Sequence, residues 1–233
     1  MKYAILTELL AARSAKKPVA LVTMIESGNQ AIVYPSEGAA TTAVGARALS
    51  EAQRALREDR TGIVETEDGT VFVHVFVPPR RLFIIGAVHI AQALAPMAGL
   101  AGYEVTVIDP RRAFATDKRF PFVNVIKEWP DRALKRLVPD SRTAVVALTH
   151  DPKLDQPALS VALKSKAFYI GALGSKKTQA ARVARLAKAG FTDETLSRIH
   201  GPAGLSLGAK TPGEIAISIM AQLTQVLRQG IKS

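Results

Sequence analysis

The sequence contains no cysteine among its 233 residues. A chain without thiols cannot form disulfides, bind metals through thiolates or carry a persulfide, so any sulfur chemistry must belong to a partner. The four histidines are too scattered to indicate a zinc site. One of them, His74, lies in an alternating strand pattern and is interpreted as an ordinary strand residue. We therefore predict no metal site.

Long hydrophobic runs are missing as well. No apolar stretch approaches the length of about 20 residues that a membrane-spanning helix needs, so no membrane span is predicted. Near the start, the acid Glu8 stands where a signal peptide would continue its apolar core. These two observations predict a cytoplasmic protein.

Aromatic residues make up only 6% of the chain, and 20 acidic residues face 31 basic ones, for a net charge of +11. Such a charge suits a phosphorylated ligand, a polyanion or an acidic protein surface. Nucleic-acid binding is not predicted, because helix-turn-helix and zinc-finger spacings are absent and aromatic stacking platforms are few. Residues 156–192 contain no acid, and most of their cations are interpreted as a solvated helix face: Lys164, Lys166, Lys176, Lys177, Arg182, Arg185 and Lys188.

The chain divides at Pro78-Pro79 into two regions of different pattern. Residues 1–78 predict a small antiparallel α+β domain. Its predicted helices are at about 3–14 and 45–58, and its strands at about 19–25, 31–34, 62–66 and 70–77. The dipeptide Asp68-Gly69 between the last two strands is typical of a hairpin turn.

Residues 79–233 alternate between strand and helix patterns, which is typical of a parallel sheet with helices on both faces. Strands are predicted at about 81–86, 104–108, 122–126, 143–148 and 167–171, and helices at about 89–101, 130–137, 153–165 and 176–189. Thr211 and Glu214 form a capping box before a last amphipathic helix. The predicted fold class is α/β, with a Rossmann-like C-terminal domain beside the α+β unit.

The apolar run that ends at Gly86 opens directly into a helical pattern, and the next apolar run ends at Asp109. A nucleotide-binding Rossmann fold begins in this order, with a strand, a glycine turn, a helix and a second strand that ends in an acid. In that fold the acid binds the ribose of the nucleotide. Val88 departs from this pattern, because it replaces the glycine that lets the backbone approach a pyrophosphate. A β-branched residue also disfavours positive φ. The turn is predicted, whereas the dinucleotide contact is weakened.

Ligands of an open parallel sheet bind beyond the carboxyl ends of its strands. The candidate residues at those ends are Gly86, His89, Asp109, Arg111, Arg112, His150, Asp151, Asp155, Gly174, Ser175, Lys176 and Lys177. The turn at 171–177 combines two glycines, a hydroxyl and two cations at a helix start, and is the best predicted anion site. Each of these residues also has a purely structural interpretation, which remains open. Gly86 would then serve only the turn, and Asp109 would be one of the acids that commonly end a strand. Arg111 and Arg112 would be solvated without binding a ligand, and His150-Asp151 would cap a helix.

Five segments together resemble the XdhC/CoxI family of molybdenum-enzyme maturation factors. The segments are residues 84–91, 105–111, 148–151, YIGALGSKK at 169–177 and IHGPAGLSLGAKTPGEIAISI at 199–219. The last two are long and specific, and the resemblance covers nearly all of residues 80–228. Within the N-terminal region, residues 34–42 stand where the family carries a glycine-rich motif with a cysteine, and no match is found there.

The resemblance implies an accessory factor that binds molybdenum cofactor and helps deliver it, sulfurated, to a xanthine-dehydrogenase-type molybdenum hydroxylase. The ligand would be molybdopterin, with its phosphate or as a dinucleotide, held by the residues at the strand ends. A separate cysteine desulfurase would have to supply sulfur, and a homodimer is left open. The chain is thus expected to act as a cofactor chaperone without turnover of its own.

Two other functions compete with this interpretation. An NAD(P)-dependent oxidoreductase would use the same crevice, but Val88 disfavours it and the sequence shows no recognisable catalytic constellation apart from His150-Asp151. A binding module for an acidic partner would need only the positive charge.

Overall fold

The structure is a computed structural model that describes residues 2–35 and 44–229. The chain forms two compact units, one ending at Pro78 and the other beginning at Pro79. Most of the N-terminal segment compared with the family's glycine-rich motif, residues 36–42, lies outside the described residues.

The first unit is a four-stranded antiparallel sheet with two helices. Its elements are α1 (Tyr3–Ser14), β1 (Val19–Met24), β2 (Gln30–Val33), α2 (Ala46–Glu58), β3 (Gly62–Thr66) and β4 (Gly69–Phe76), with strand order β2-β1-β4-β3. Alternate strand residues pack against α2, with Val22, Val73 and Ala52 fully buried or nearly so. The predicted hairpin turn also caps α2, because the carboxylate of Asp68 accepts hydrogen bonds from the backbone of Arg47 and Ala48.

The second unit is a six-stranded, wholly parallel sheet. Its elements are β5 (Arg80–Ile85), α3 (His89–Leu100), β6 (Tyr103–Ile108), β7 (Asn124–Ile126), α4 (Pro130–Leu137), β8 (Thr143–Ala147), α5 (Pro152–Leu163), β9 (Tyr169–Ala172), α6 (Lys176–Lys188), α7 (Asp193–Ser197), β10 (Ile199–His200) and α8 (Pro212–Gln229). The strand order is β10-β9-β8-β5-β6-β7. The predicted α/β class with a small antiparallel unit is confirmed.

Helices cover both faces of this sheet, so its central strands are apolar throughout. On one face, Ile84 and Val146 pack with Leu94 of α3 and Leu223 of α8. On the other face, Phe83 and Val145 pack with residues of α4, α5 and α6, among them Leu134, Leu159 and Leu186. This two-sided burial explains why the strands show continuous hydrophobic runs instead of alternation.

The last helix begins at the predicted capping box. The Glu214 carboxylate accepts hydrogen bonds from the backbone of Lys210 and Thr211, at 2.8 and 2.9 Å, and the Thr211 hydroxyl accepts one from the Glu214 backbone. Two short elements are not predicted from the sequence, α7 and β10, because five and two residues are too few to show a period. Within the described part of the chain, no helix has the length and apolarity needed to cross a membrane.

Candidate functional site

The carboxyl edge of the parallel sheet has a switch point between β5 and β8. The chain winds outward from β5 through β6 to β7, then returns to the other side of β5 with β8, β9 and β10. At such a point the loops after the two central strands separate and leave a crevice, where ligands of this architecture bind. Gly86 directly follows β5, and Thr149 follows the last residue of β8 by two positions, so the loops that begin at these residues lie at the switch point.

Gly86 makes the first turn of the crevice and has to be glycine. Its φ is +107°, and a Cβ at this position would lie 2.5 Å from Cγ2 of Thr149. The residue therefore serves both the turn and the close approach of the loops after β5 and β8.

Asp109, at the end of β6, is completely buried and makes four hydrogen bonds. Oδ1 accepts from the backbone N and from Nε of Arg111, both at 2.9 Å. Oδ2 accepts from the backbone N of Ala87 at 2.8 Å and from Nη2 of Arg111 at 2.7 Å. The sequence predicts an acid for a ribose hydroxyl, whereas the carboxylate in this structure holds Arg111 to the Gly86 turn.

The electrostatics of this pair favour two full charges. Burial alone would raise the pKa of Asp109, but hydrogen bonds from Arg111 and Ala87 outweigh it and the pKa is lowered. The pKa of Arg111 is raised by its hydrogen bonds to Asp109, with the charges of Asp151 and Asp155 adding to the effect. Asp151 and Asp155 belong to the end of the loop after β8 and to the helix α5 that follows it.

The guanidinium of Arg111 is fixed but remains accessible. Its carbon lies 4.7 Å from the centre of the Phe114 ring, and 36% of the side chain is exposed. Nε and Nη2 bond to Asp109, while Nη1 donates to no acceptor in the described part of the chain. Because guanidinium keeps its charge and carries five N–H groups, donors remain for an anion.

The start of α3 lies beside this arginine and has no side-chain cap. Val88 is the N-cap residue, with φ −91° and ψ 174°, and its apolar side chain cannot accept a hydrogen bond from the backbone N–H groups of the first turn. Val88 has a negative φ, so the expected conflict between a β-branched side chain and a positive φ does not arise. Its side chain is half-buried against the core. His89, the next residue, is exposed.

The loop after β8 is organised by Thr149. Its hydroxyl donates to Oδ1 of Asp155 at 2.6 Å and accepts from the backbone N of Asp151 at 3.0 Å. Asp155 is only 3% exposed, and burial raises its pKa against the opposing effects of Thr149 and of the positive charge of Arg182. Thr149 thus links the Gly86 turn to a buried carboxyl group.

The predicted pair His150-Asp151 has two separate environments. His150 is exposed at the crevice with φ +60°. Asp151 is the N-cap of α5, accepting a hydrogen bond from the backbone N of Lys153 at 2.9 Å, with Pro152 at the first helical position. The cap interpretation of Asp151, left open by the sequence, matches this geometry.

The glycine turn after β9 uses its hydroxyl for its own helix. Ser175 is the N-cap of α6 and accepts from the backbone N of Thr178 at 3.1 Å. Gly174 has φ +145°, and a Cβ there would lie 3.0 Å from the Thr178 side chain. Lys176 and Lys177 are exposed and make no ion pair with any described residue.

Arg182 is not part of a solvated cationic face and is an exception to the interpretation given for most cations of residues 156–192. The residue is 3% exposed. It donates to Oε1 of Gln179 at 2.5 Å and to the carbonyl of Leu173 at 2.7 Å. Its spacing of four from the buried Leu186 on α6 is the available signal, because residues four apart share a helix face.

The loop after β10 is tied to α8 by one glutamine. Oε1 of Gln222 accepts from the hydroxyl of Tyr169 at 2.7 Å and from the backbone N of Gly204 at 2.8 Å. The His200 ring stacks on the Tyr169 ring, with centroids 4.8 Å apart, and burial lowers the pKa of His200. Sequence reasoning misses this cluster, because its residues lie far apart in the chain and only the fold brings them together.

Residues that could hold a metal do not gather in the described part of the chain. No group of three or more His, Cys, Asp or Glu side chains occurs there with ligand geometry. The arrangement can instead bind an anion through Arg111, the adjacent exposed Arg112 and the uncapped start of α3.

Comparison with known proteins identifies a family that matches most of the second unit. The sequence model described as the XdhC Rossmann domain matches residues 82–223. The molybdenum cofactor insertion chaperone PaoD of Escherichia coli K12 is 31% identical over 151 residues. A protein of Bacillus subtilis 168, named as a probable xanthine dehydrogenase subunit, is 31% identical over 160 residues.

These alignments cover 65% and 68% of this chain, but only 41% and 46% of the relatives. The chain thus spans less than half the length of the curated relatives it matches. Among solved structures, a xanthine dehydrogenase from Bacillus halodurans is similar, with a TM-score of 0.71 and 28% identity, over 97% of this chain and 65% of that one. The similarity extends over both units.

Proposed function

Because this chain belongs to the XdhC family, we propose that it binds molybdenum cofactor and assists its sulfuration and insertion into a xanthine-dehydrogenase-type hydroxylase. The names of two relatives, an insertion chaperone and a probable xanthine dehydrogenase subunit, support this proposal. The chain acts here as a chaperone, so the cofactor is its cargo and no catalytic residue is assigned.

The observation that carries the proposal is the open guanidinium of Arg111. It is oriented by a buried carboxylate and stacked on Phe114, and the same carboxylate binds the backbone N of Ala87 in the turn after β5. Molybdopterin carries a phosphate, and a fixed guanidinium fork is the protein group best matched to phosphate. The uncapped amides of α3, beside Gly86, add a favourable dipole for the same charge.

We assign different roles to the other predicted site residues. His89 and His150 are exposed and could contact the pterin ring, while Lys176 and Lys177 attract the anion from solvent. Asp109 acts through Arg111, Asp151 and Ser175 through the helices they cap, and Gly174 through the turn.

The partners follow from the chemistry that this chain lacks. With no cysteine it cannot carry the sulfur atom, so we propose a separate cysteine desulfurase as donor and a molybdenum hydroxylase as acceptor. The net charge of +11 favours acidic surfaces on these partners. A homodimer and a cytoplasmic location complete the proposal.

The test is binding and transfer with purified components. The full chain is mixed anaerobically with molybdenum cofactor, and bound molybdenum is measured after gel filtration by mass spectrometry. We expect stoichiometric retention by the parent and at least a tenfold loss of affinity for Arg111→Ala. Activation of a cofactor-free hydroxylase is then compared for the parent and a folded His150→Ala variant, which we expect to deliver less cofactor.

A chain that retains no cofactor would contradict the proposal. The competing oxidoreductase is tested by calorimetric titration with NAD and NADP. We expect no binding tighter than about millimolar, or roughly −4 kcal/mol. Micromolar binding of either dinucleotide would favour the oxidoreductase instead.

A further inference from the structure

In this protein, the acid at the position that binds ribose in dinucleotide-binding proteins is already occupied by hydrogen bonds from the protein itself. In those proteins, an acid at the end of the second strand accepts hydrogen bonds from ribose hydroxyls. Asp109 has this position, and an ionised carboxylate offers about four acceptor sites. All four are used inside the protein, two by the Arg111 side chain and two by the backbone of Ala87 and Arg111. A ribose diol therefore finds no acceptor at Asp109.

The Asp109–Arg111 pair offers a ligand hydrogen-bond donors and a positive charge instead of acceptors. Nη1 of Arg111 and the second N–H of its Nη2 make no hydrogen bond to the described residues. They belong to a side chain that is 36% exposed and whose guanidinium Asp109 and Phe114 hold in place. Two fixed parallel donors match two oxygens of a phosphate monoester. A ribose hydroxyl, being neutral, gains much less from such donors.

The negative groups facing Arg111 do not cancel this preference. Asp155 and Asp151 both raise the pKa of Arg111. Asp155 is buried and its own pKa is raised, and the carboxylate of Asp151 is engaged by the first turn of α5. Arg111 therefore keeps an accessible positive charge.

We propose that the Asp109–Arg111 pair is a specificity determinant that selects ligands ending in a phosphate monoester and rejects those that place a ribose diol there. This rests on the proposed function, and it selects between the two forms of the cargo. The chain binds molybdopterin that ends in its own phosphate monoester, and discriminates against the dinucleotide form, in which that phosphate is joined through a pyrophosphate linkage to a nucleoside.

The experiment compares the two cofactor forms on the same protein. Each form is released anaerobically from a purified molybdenum enzyme, and its dissociation constant for the full chain is measured by ultrafiltration and molybdenum analysis. We expect the phosphate-terminated form to bind at least tenfold more tightly, which corresponds to about 1.4 kcal/mol. Arg111→Lys keeps the charge but cannot cover both oxygens of Asp109, so it should reduce this ratio at least fivefold.

Arg136→Lys is the matched control, because Arg136 is exposed on α4 and pairs with Glu128. This variant should leave the ratio unchanged. Equal affinities of the parent for both forms, or a preference for the dinucleotide, would overturn the selectivity while leaving cofactor binding intact. If neither form binds, the proposed function fails as well. The parent's ratio is informative by itself, so the test survives if Arg111→Lys does not fold.

Discussion

The two halves of the crevice are built from the same kinds of residues and present opposite surfaces. On the β5–β6 side, the ionised Asp109 has all its acceptor positions occupied by hydrogen bonds, and its partner Arg111 is accessible. The helix α3 starts there without a side-chain cap. On the β8–β9 side, Asp155 is buried and its pKa is raised, and Arg182 is buried as well. The helix α5 is capped by Asp151, and the helix α6 is capped by Ser175. The first half is open to an anion, whereas the second is largely satisfied by itself.

This difference shows that an anion site depends on which donors remain free. Glycines, a hydroxyl and two lysines make residues 171–177 the best anion site in the sequence. The hydroxyl of Ser175 is used by its own helix, so only the charges of the exposed lysines are left. Arg111 is held in place by Asp109 and Phe114 and keeps unused donors.

The largest effect is expected from removing the group that holds the open half together. Asp109→Ala leaves the backbone N–H of Ala87 without an acceptor and Arg111 without its counter-charge. Loss of a buried donor's partner and of a buried ion pair should reduce the free energy of unfolding by about 3 kcal/mol. Urea denaturation followed by circular dichroism measures this change.

Asp151→Ala is the matched control in the satisfied half, because its carboxylate makes one capping hydrogen bond. Loss of a cap should cost about 1 kcal/mol. Equal losses for the two alanine variants would contradict the contrast between the halves.

A smaller effect is expected in the pH dependence of two asparagine variants. Because the pKa of Asp109 is lowered by folding, its ionised form stabilises the protein above the ordinary pKa of about 3.9. This contribution is lost as the pH falls through the folded-state pKa. The stability lost in Asp109→Asn should therefore be largest near neutral pH and shrink in acid.

Asp155 should behave in the opposite way, because burial raises its pKa. The parent loses stability as the pH rises from the ordinary pKa toward the folded-state pKa. Asp155→Asn removes that loss, so the variant should gain stability relative to the parent between about pH 4 and neutrality. Urea denaturation at several values from about pH 3 to neutrality tests both variants, and parallel pH profiles would show that the two carboxyl groups do not differ as described.

The sequence is a good guide to the elements and a poor one to the roles of individual side chains. The strands β5, β6 and β8 and the capping box at Thr211 follow from local patterns, and the structure contains them within two residues. The roles of Asp109 and Arg182 depend on contacts between different strands and loops. Three of the four hydrogen bonds to Asp109 come from Arg111, two residues away, whereas the fourth comes from Ala87 in the loop after β5. The sequence does not show this fourth bond, nor that Arg182 turns inward toward the Leu173 carbonyl.

The smallest effect is expected from the exposed lysines of the satisfied half. Replacing Lys176 and Lys177 by alanine removes two charges that make no ion pair with described residues, so stability should change by less than about 0.5 kcal/mol. If these lysines attract the anion only through solvent, cofactor affinity should fall a few-fold at low salt. The fall should disappear above roughly 0.3 M salt, because exposed charges are screened over distances of several ångströms. A loss that equals that of Arg111→Ala and persists at high salt would show direct contact, and would place the phosphate at residues 174–177 instead of at Arg111.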